Sequence, residues 1–483
     1  MSITSNTIET EELSDKLECI YHILNANSIA VVGASKNPNK WGYNILKNMI
    51  CAGYKGKIYP INPREKIIQG LKVYKSILDV PGELDLMIIA VPPKFIPAII
   101  KEGIQKKVAG VAIVTSGYRE VGNIEREMEL KKLIEGTKLH ILGPNIQGLG
   151  TPSINLCAQP SPLITKKGPI AVISQSGSIT STITQWAQDE NIGISGFVNL
   201  GNQIDLCESD FLRYFGEHIE TKVISLYIEG AKNGKHFFNA LREVCQKKPV
   251  VVLKPGRTTR GVETASSHTA SIAGSDKVFN GALLQCGAIR AYGITDFYDY
   301  TKVFATQPLV EGNRVFIITS SGGVASLLID YLVEKGVDIP ELTPEQSERM
   351  QKAISIPGVR IANPCDFPAF QGSDYAPLIK LLAEIDSEED LTDLFIFNVA
   401  DSCPGLEHEI LKFSKLTSKP IVVNYQGGGE DEKIGAEFLN KNGIPIYPVA
   451  ERAANSVGAL IKYSQFRKSR KILVWGFRGR PSI

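Results

Sequence analysis

SIAVVGASKNPNKWG, residues 28–42, reads as a buried strand, a glycine turn at Gly33 and a helix start at Gly42. Gly33 permits the tight turn, and the N–H groups at the helix start can receive a phosphate. The spacing is looser than G-x-G-x-x-G. A dinucleotide site would also place an acid at the end of the second strand, to bind ribose hydroxyls. Here the second strand ends Ile61-Asn62-Pro63-Arg64. A cation at that point argues against NAD and for a ligand with an extra phosphate, such as coenzyme A. The plain alternative is a structural turn, because glycine turns recur in all such folds.

Outward from this stretch the chain alternates strand and helix, the pattern of parallel sheets covered on both faces. Strands are predicted at SIAVVG, KIYPIN, LDLMIIAVP and GVAIVTSG. A first domain, 28–155, then closes near HILGPNIQGLG, with an irregular Pro-rich stretch (Thr151–Pro162) after it. A second, 163–306, carries GPIAVISQSG, GISGFVNLG, KVISLYIEG and KPVVVLKPG. A third, 312–465, carries NRVFIITSSGG, LTDLFIFNVA, KPIVVNYQGG and IPIYPVA. Residues 1–27 read as a helical extension and 466–483 as a basic tail.

The second and third domains read as copies. Ile173-Ser174-Gln175-Ser176-Gly177 aligns with Ile318-Thr319-Ser320-Ser321-Gly322, and KPVVVLKPG with KPIVVNYQG. Between its last two strands the second copy holds about fifteen extra residues, among them GVETASSHTASIAGSD. An insertion at the carboxyl edge of a parallel sheet lies where such folds place their chemistry.

Three features of the second domain carry that chemistry. The run Ser174-Gln175-Ser176-Gly177-Ser178 is a strand-to-helix turn able to cradle an anion. A nucleophile elbow on Ser176 would need glycine at Ser174, so the phosphate cradle ranks above a serine hydrolase. His268 sits among small residues in the inserted loop, where an imidazole can form a covalent phosphoryl intermediate. Taken alone, a loop histidine is usually just solvated; the repeat comparison singles this one out. Glu229 ends the strand VISLYIEG and can hold an imidazole N–H, although a strand-end acid is also commonplace.

Bulk composition excludes several classes. The 483 residues are 43% hydrophobic and 22% charged with net charge +2, so no broad electrostatic case exists for nucleic acid or an anionic membrane. No apolar run nears the ~18 residues of a membrane span, and the polar N-terminus has no signal-peptide core. The eight cysteines form no C-x-x-C pair, which argues against zinc and disulfide frameworks and for a reduced cytoplasm; no metal site is assigned.

In order, VVGASKNPNKWGYNIL, GYKGKIYPINP, GPNIQG, SQSGS, GNQIDLCESDFLRY, KPVVVLKPGRT, SSHTASIAGSD and NPCDF resemble the α subunits of ADP-forming acetyl-CoA (acyl-CoA) synthetases, relatives of succinyl-CoA synthetase. The match covers nearly all of 28–465. It implies an α/β fold, a Rossmann-like CoA-binding domain followed by two flavodoxin-like domains, and the reaction acyl-CoA + ADP + phosphate to acid + CoA + ATP. By the resemblance His268 is phosphorylated, Glu229 stabilises it, and residues 174–178 cradle the phosphoryl group. Coenzyme A falls to Gly33, Ala34, Ser35, Lys40, Asn62, Pro63, Arg64, Val91, Pro92, Ser116 and Asn145. Two positions depart from the family pattern: Ala270 replaces a glycine after the histidine, and Cys207 replaces an aspartate. Nothing in the chain reads as the family's ATP-grasp module. The expected partner is therefore a separate ATP-grasp β subunit, in an α2β2 assembly, that holds Mg²⁺ with ADP or ATP. A non-catalytic CoA-binding or regulatory protein of the same fold is the alternative. The acyl group is not legible.

Overall fold

The computed structural model describes residues 2–161, 166–261, 275–354 and 358–478. It divides into two compact units, residues 1–188 with 193–292, and residues 189–192 with 293–483. Among the described residues no helix is long and apolar enough to cross a membrane. None of the eight cysteines is in a disulfide.

The first unit begins with helix α1 (Ser2–Leu24). It is more than an extension: Cys19, Ile20, Ile23 and Leu24 are buried in the unit's core. Strand β1 (Ser28–Val32) follows, all five residues buried, as a central strand of a parallel sheet requires. After helix α2 (Trp41–Cys51) come β2 (Lys57–Ile61), a small hairpin of β3 (Ile67–Ile68) and β4 (Leu71–Lys72), β5 (Leu86–Ile89), helix α3 (Ile96–Lys106), β6 (Gly110–Ile113), helix α4 (Ile124–Ile134) and β7 (His140–Leu142). The sheet order is β2-β1-β5-β6-β7, all parallel. The chain reverses its direction of travel between β1 and β5, which opens a crevice at their carboxyl ends.

The second sheet has seven strands, in the order β14-β13-β12-β10-β11-β8-β9. Its parallel part comprises β10 (Lys167–Ser174), β11 (Ile194–Asn199), β12 (Val223–Tyr227), β13 (Val250–Leu253) and β14 (Ile289–Ala291). They are connected by helices α5 (Gly177–Asp189), α6 (Glu208–Glu217) and α7 (Gly234–Cys245) and by the helix Asp276–Cys286. Here the switch lies at β10, which pairs with β11 on one side and β12 on the other. The stretch expected to be irregular after residue 150 is instead structured. Strands β8 (Leu149–Thr151) and β9 (Leu156–Ala158) form an antiparallel hairpin that extends this sheet through β11. Three-residue strands are too short to leave a periodic signal, so the sequence shows only their turn residues.

The second unit repeats the design with β15 (Val315–Thr319), β16 (Cys365–Asp366), β17 (Leu394–Val399), β18 (Ile421–Tyr425) and β19 (Ile446–Tyr447), in the order β16-β15-β17-β18-β19. The duplication extends to individual hydrogen bonds. Ser174 Oγ accepts from the Ser176 N–H (3.1 Å) and donates to the Ser176 carbonyl (2.7 Å). Thr319 Oγ1 does the same with Ser321, at 3.0 and 2.9 Å. At its end the chain runs in one helix, Ala450–Arg478, straight through the point where a separate basic tail was expected at 466.

Candidate active site

The two glycines of SIAVVGASKNPNKWG are required by close approach. Gly33 has φ +91°, and a Cβ there would lie 2.5 Å from the Ala90 carbonyl oxygen. A Cβ on Gly42 would overlap the Gly33 carbonyl. The turn after β1, the end of β5 and the start of α2 therefore close on one another at the first switch point. Around them lies a cleft of about 710 Å³. Gly33, Ala34, Ser35 and Lys40 line it from the first turn, Asn62, Pro63 and Arg64 from the end of β2, and Val91 and Pro92 from beyond β5. Of the residues expected to hold coenzyme A, only Ser116 and Asn145 lie outside. Ser116 is on the surface, and Asn145 lines a second cavity.

Asn62 shapes this cleft. Its Nδ2 donates to the Ala34 carbonyl at 2.8 Å, while its Oδ1 accepts from the N–H groups of Arg64 (2.9 Å) and Glu65 (3.3 Å). Lys40, Arg64 and Lys75 are exposed at the rim, and none of them has an ion pair among the described residues. Two large aromatic side chains, Trp41 (49% exposed) and Phe95 (51%), also line the cleft. Unpaired cations beside open aromatic faces are what a phosphorylated nucleotide calls for.

At the second switch point lies a cavity of about 540 Å³. Gln175, Ser176, Gly177 and Ser178 line it from the start of α5, and Glu229 from the end of β12. Trp41 lines both cavities, so the cofactor cleft and the phosphate cradle adjoin. The first N–H groups of α5 have no partner within the helix, and its dipole favours an anion there. The Ser176 and Ser178 hydroxyls lie 3.0 Å apart at that point. Gly177 is needed because a Cβ would overlap the Gln147 side chain, which is held by Ser161 Oγ at 2.8 Å.

Two residues of the expected cradle have other duties. Ser174 is fully buried beneath the turn it braces. The Gln175 N–H is taken by the Tyr227 carbonyl (3.1 Å), and its side chain reaches the end of β12. There Gln175 Oε1 accepts from the N–H groups of Glu229 (2.5 Å) and Gly230 (3.3 Å), and Nε2 donates to the Gly230 carbonyl (2.9 Å). Gln175 thus fixes the backbone that presents Glu229. Glu229 is 8% exposed, and its Oε1 accepts from the Tyr227 hydroxyl at 3.4 Å. Burial and the Glu229 charge both raise the Tyr227 phenol well above its ordinary pKa, which keeps it protonated as that donor. In the second unit the position of Glu229 is taken by Ala400, whose N–H bonds Ser320 Oγ at 3.1 Å, and the Asp366 carboxylate lies beside the helix start at Gly322. In the first copy the helix start opens onto the cavity that Glu229 also lines. His268 lies outside the described residues.

Cys207, the departure from the family aspartate, stands at the N-cap of α6. Its N–H and Sγ both bond Asp210 Oδ2, at 3.0 and 3.3 Å. His236 joins them within 4.8 Å. The helix starts of α6 and α7 meet there, which suits anions rather than a cation. Trp41 and Gln147 were missed as cavity residues, although both stand inside quoted motifs.

Residues 27–149 match the model of a CoA binding domain, and residues 167–304 that of a succinyl-CoA ligase like flavodoxin domain. The α subunit of ADP-forming acetate–CoA ligase I from Pyrococcus furiosus is 37% identical, with 93% of this chain and 98% of that protein covered. The chain belongs to the ADP-forming acetate–CoA ligase family. Another member, the ADP-forming acetate–CoA ligase of Methanocaldococcus jannaschii, is 36% identical over 90% of this chain and 62% of that longer protein. The solved structure of acetyl-coenzyme A synthetase 1 from Ca. Korarchaeum cryptofilum, in complex with phosphate and ADP, superposes with a TM-score of 0.88. It is 33% identical, covering 94% of this chain and 98% of that one. Family membership accords with the resemblance read from the motifs and with its α/β domain types.

Proposed function

We propose that this chain is the α-type subunit of an ADP-forming acyl-CoA synthetase, which converts acyl-CoA, ADP and phosphate into acid, CoA and ATP. The observation that carries the reading is the shared wall at Trp41. It sets the Gly33 cleft beside a cavity containing both the α5 start and Glu229. Coenzyme A occupies the cleft with its phosphates toward Lys40, Arg64 and Lys75. Phosphate held at Ser176–Ser178 attacks the thioester carbonyl, the C–S bond breaks, and CoA leaves as the thiol with an acyl phosphate behind it. The imidazole of His268 then displaces the carboxylate from phosphorus, and the phosphohistidine passes its phosphoryl group to ADP. Glu229 steadies the imidazolium as charge develops.

ADP and its Mg²⁺ belong to a separate ATP-grasp β subunit, in an α2β2 complex in the cytoplasm. The Pyrococcus relative's description as an α subunit supports a partner. The catalytic reading stands above a non-catalytic CoA-binding protein because that relative, named a ligase subunit, aligns over almost its whole length. The test is ATP formation from acetyl-CoA, ADP, phosphate and Mg²⁺ by the purified chain, with and without an ATP-grasp partner. Turnover is expected only with the partner; robust turnover by this chain alone would refute the division of labour.

A further inference from the structure

We infer that Gln147 binds the phosphate substrate, donating from its side-chain NH₂ after the amide turns end for end. The inference rests on the proposed function and adds a residue to that site. Near neutral pH inorganic phosphate is an anion with mostly acceptor oxygens, so its cavity must offer cations or donors. Glu229 is the one ionisable side chain among the described residues that line the cavity, and it is an acid. The task falls to neutral donors: the first N–H groups of α5, the Ser176 and Ser178 hydroxyls, and side-chain amides.

Six such amides line the cavity, and five are held in one orientation by partners that can only accept or are themselves fixed. Asn44 donates to the Pro38 carbonyl (3.1 Å), Gln175 to the Gly230 carbonyl (2.9 Å) and Asn199 to the Ser174 carbonyl (3.0 Å). Asn202 donates to the carboxylates of Glu120 (2.6 Å) and Glu127 (2.7 Å), and its Oδ1 accepts from Asn145 Nδ2 at 3.3 Å. Reversing any of these would set oxygen against oxygen and lose the bond.

Gln147 differs. Its Nε2 meets two hydroxyls, Ser161 Oγ at 2.8 Å and Ser181 Oγ at 3.3 Å. A hydroxyl donates as readily as it accepts, so the same two serines can hold Oε1 in place of Nε2. The turn needs no backbone movement, because the Gln147 N–H is anchored on Asn199 Oδ1 at 2.6 Å. The other end of the amide, Oε1, fills the space that a Cβ on Gly177 would take, beside the first turn of α5. A carbonyl oxygen there repels an anion held at Ser176–Ser178, whereas an NH₂ there donates to it. Phosphate therefore selects the turned amide.

The test is steady-state kinetics of the complete complex, this chain with its ATP-grasp partner. Inorganic phosphate is varied at saturating acetyl-CoA, ADP and Mg²⁺, and CoA binding is measured by calorimetry on the same preparations. Gln147→Met removes the donor and should raise the phosphate KM by about tenfold. Gln147→Glu can still accept from both serines but turns a carboxylate toward phosphate, so the rise should reach about 100-fold. Gln147→Lys restores a donor and should keep the phosphate KM within about threefold of native. The CoA dissociation constant should stay within about twofold throughout, since Gln147 does not line the Gly33 cleft. A residue that merely packs would suffer as much from lysine as from glutamate. An unchanged phosphate KM in Gln147→Met, equal damage from lysine and glutamate, or loss of CoA binding in step with phosphate would overturn the inference alone. Absence of phosphate-dependent turnover in the native complex would instead overturn the proposed function, and the inference with it.

Discussion

Gln175 was expected to touch phosphate, but the structure gives it to Glu229. Replacing it by alanine removes three hydrogen bonds to the end of β12, from the Glu229 and Gly230 N–H groups and to the Gly230 carbonyl. A partly buried polar group left without its partner costs about 1–3 kcal/mol. The Glu229 backbone then loses the contact that sets its position, and a displacement near 1 Å at a reacting group is worth about 10²-fold in rate. Gln175→Ala should therefore lower the melting temperature modestly, slow phosphorylation of the chain by about 10²-fold, and leave the CoA dissociation constant unchanged. The assay incubates the full chain with ³²P-labelled acetyl phosphate, follows label incorporation by rapid quench, and measures CoA binding by calorimetry on the same preparation. Gln175→Glu keeps the acceptor but loses the donor and sets a second negative charge beside Glu229, so it should be slowed as well. Phosphorylation at the native rate in Gln175→Ala, or a matching loss of phosphate affinity with Glu229 still competent, would refute the positioning role.

Two further outcomes follow from charges at either end of the first unit. Arg64→Ala removes an exposed, unpaired cation from the cofactor rim, so it should weaken CoA binding by about 2–5-fold, more at low salt, and leave dephospho-CoA binding unchanged; calorimetry at two salt concentrations checks this. Burial raises the Glu208 carboxyl from 4.5 to about 7. The folded chain then holds a proton that the unfolded chain has lost, so the contribution to stability is complete below pH 4.5 and disappears as pH rises toward 7. Glu208→Gln should flatten the fall in melting temperature over that window, measured against the native chain across matched buffers.

Much of this was legible because the residues that position the ligands also dictate the backbone. Gly33 and Gly42 are required by steric closure of the cleft, and they were visible as a strand–glycine–helix pattern. The run Ser174–Ser178 was visible as a strand-to-helix turn and Glu229 as the acid ending a strand, and Gln175–Ser178 and Glu229 line one cavity at the second switch point. What escaped was side-chain direction. Nothing in SQSGS says that Ser174 points down and Gln175 sideways, because both follow from the pairing of β10 with β12. The β8–β9 hairpin escaped for a different reason: its strands are defined by their partner β11, far off in sequence. Trp41 was quoted as part of a motif, yet its place between two cavities depends on how α2 sits against the second sheet's loops.

In the proposed reaction phosphate travels through a histidine in the inserted loop. The most direct measurement incubates the full chain with ³²P-labelled acetyl phosphate and maps the label by proteolysis and mass spectrometry, in parallel with His268→Ala. The label should be acid-labile and base-stable, located on His268, and absent from His268→Ala. Full labelling of His268→Ala, or a label on a serine such as Ser176, would contradict it.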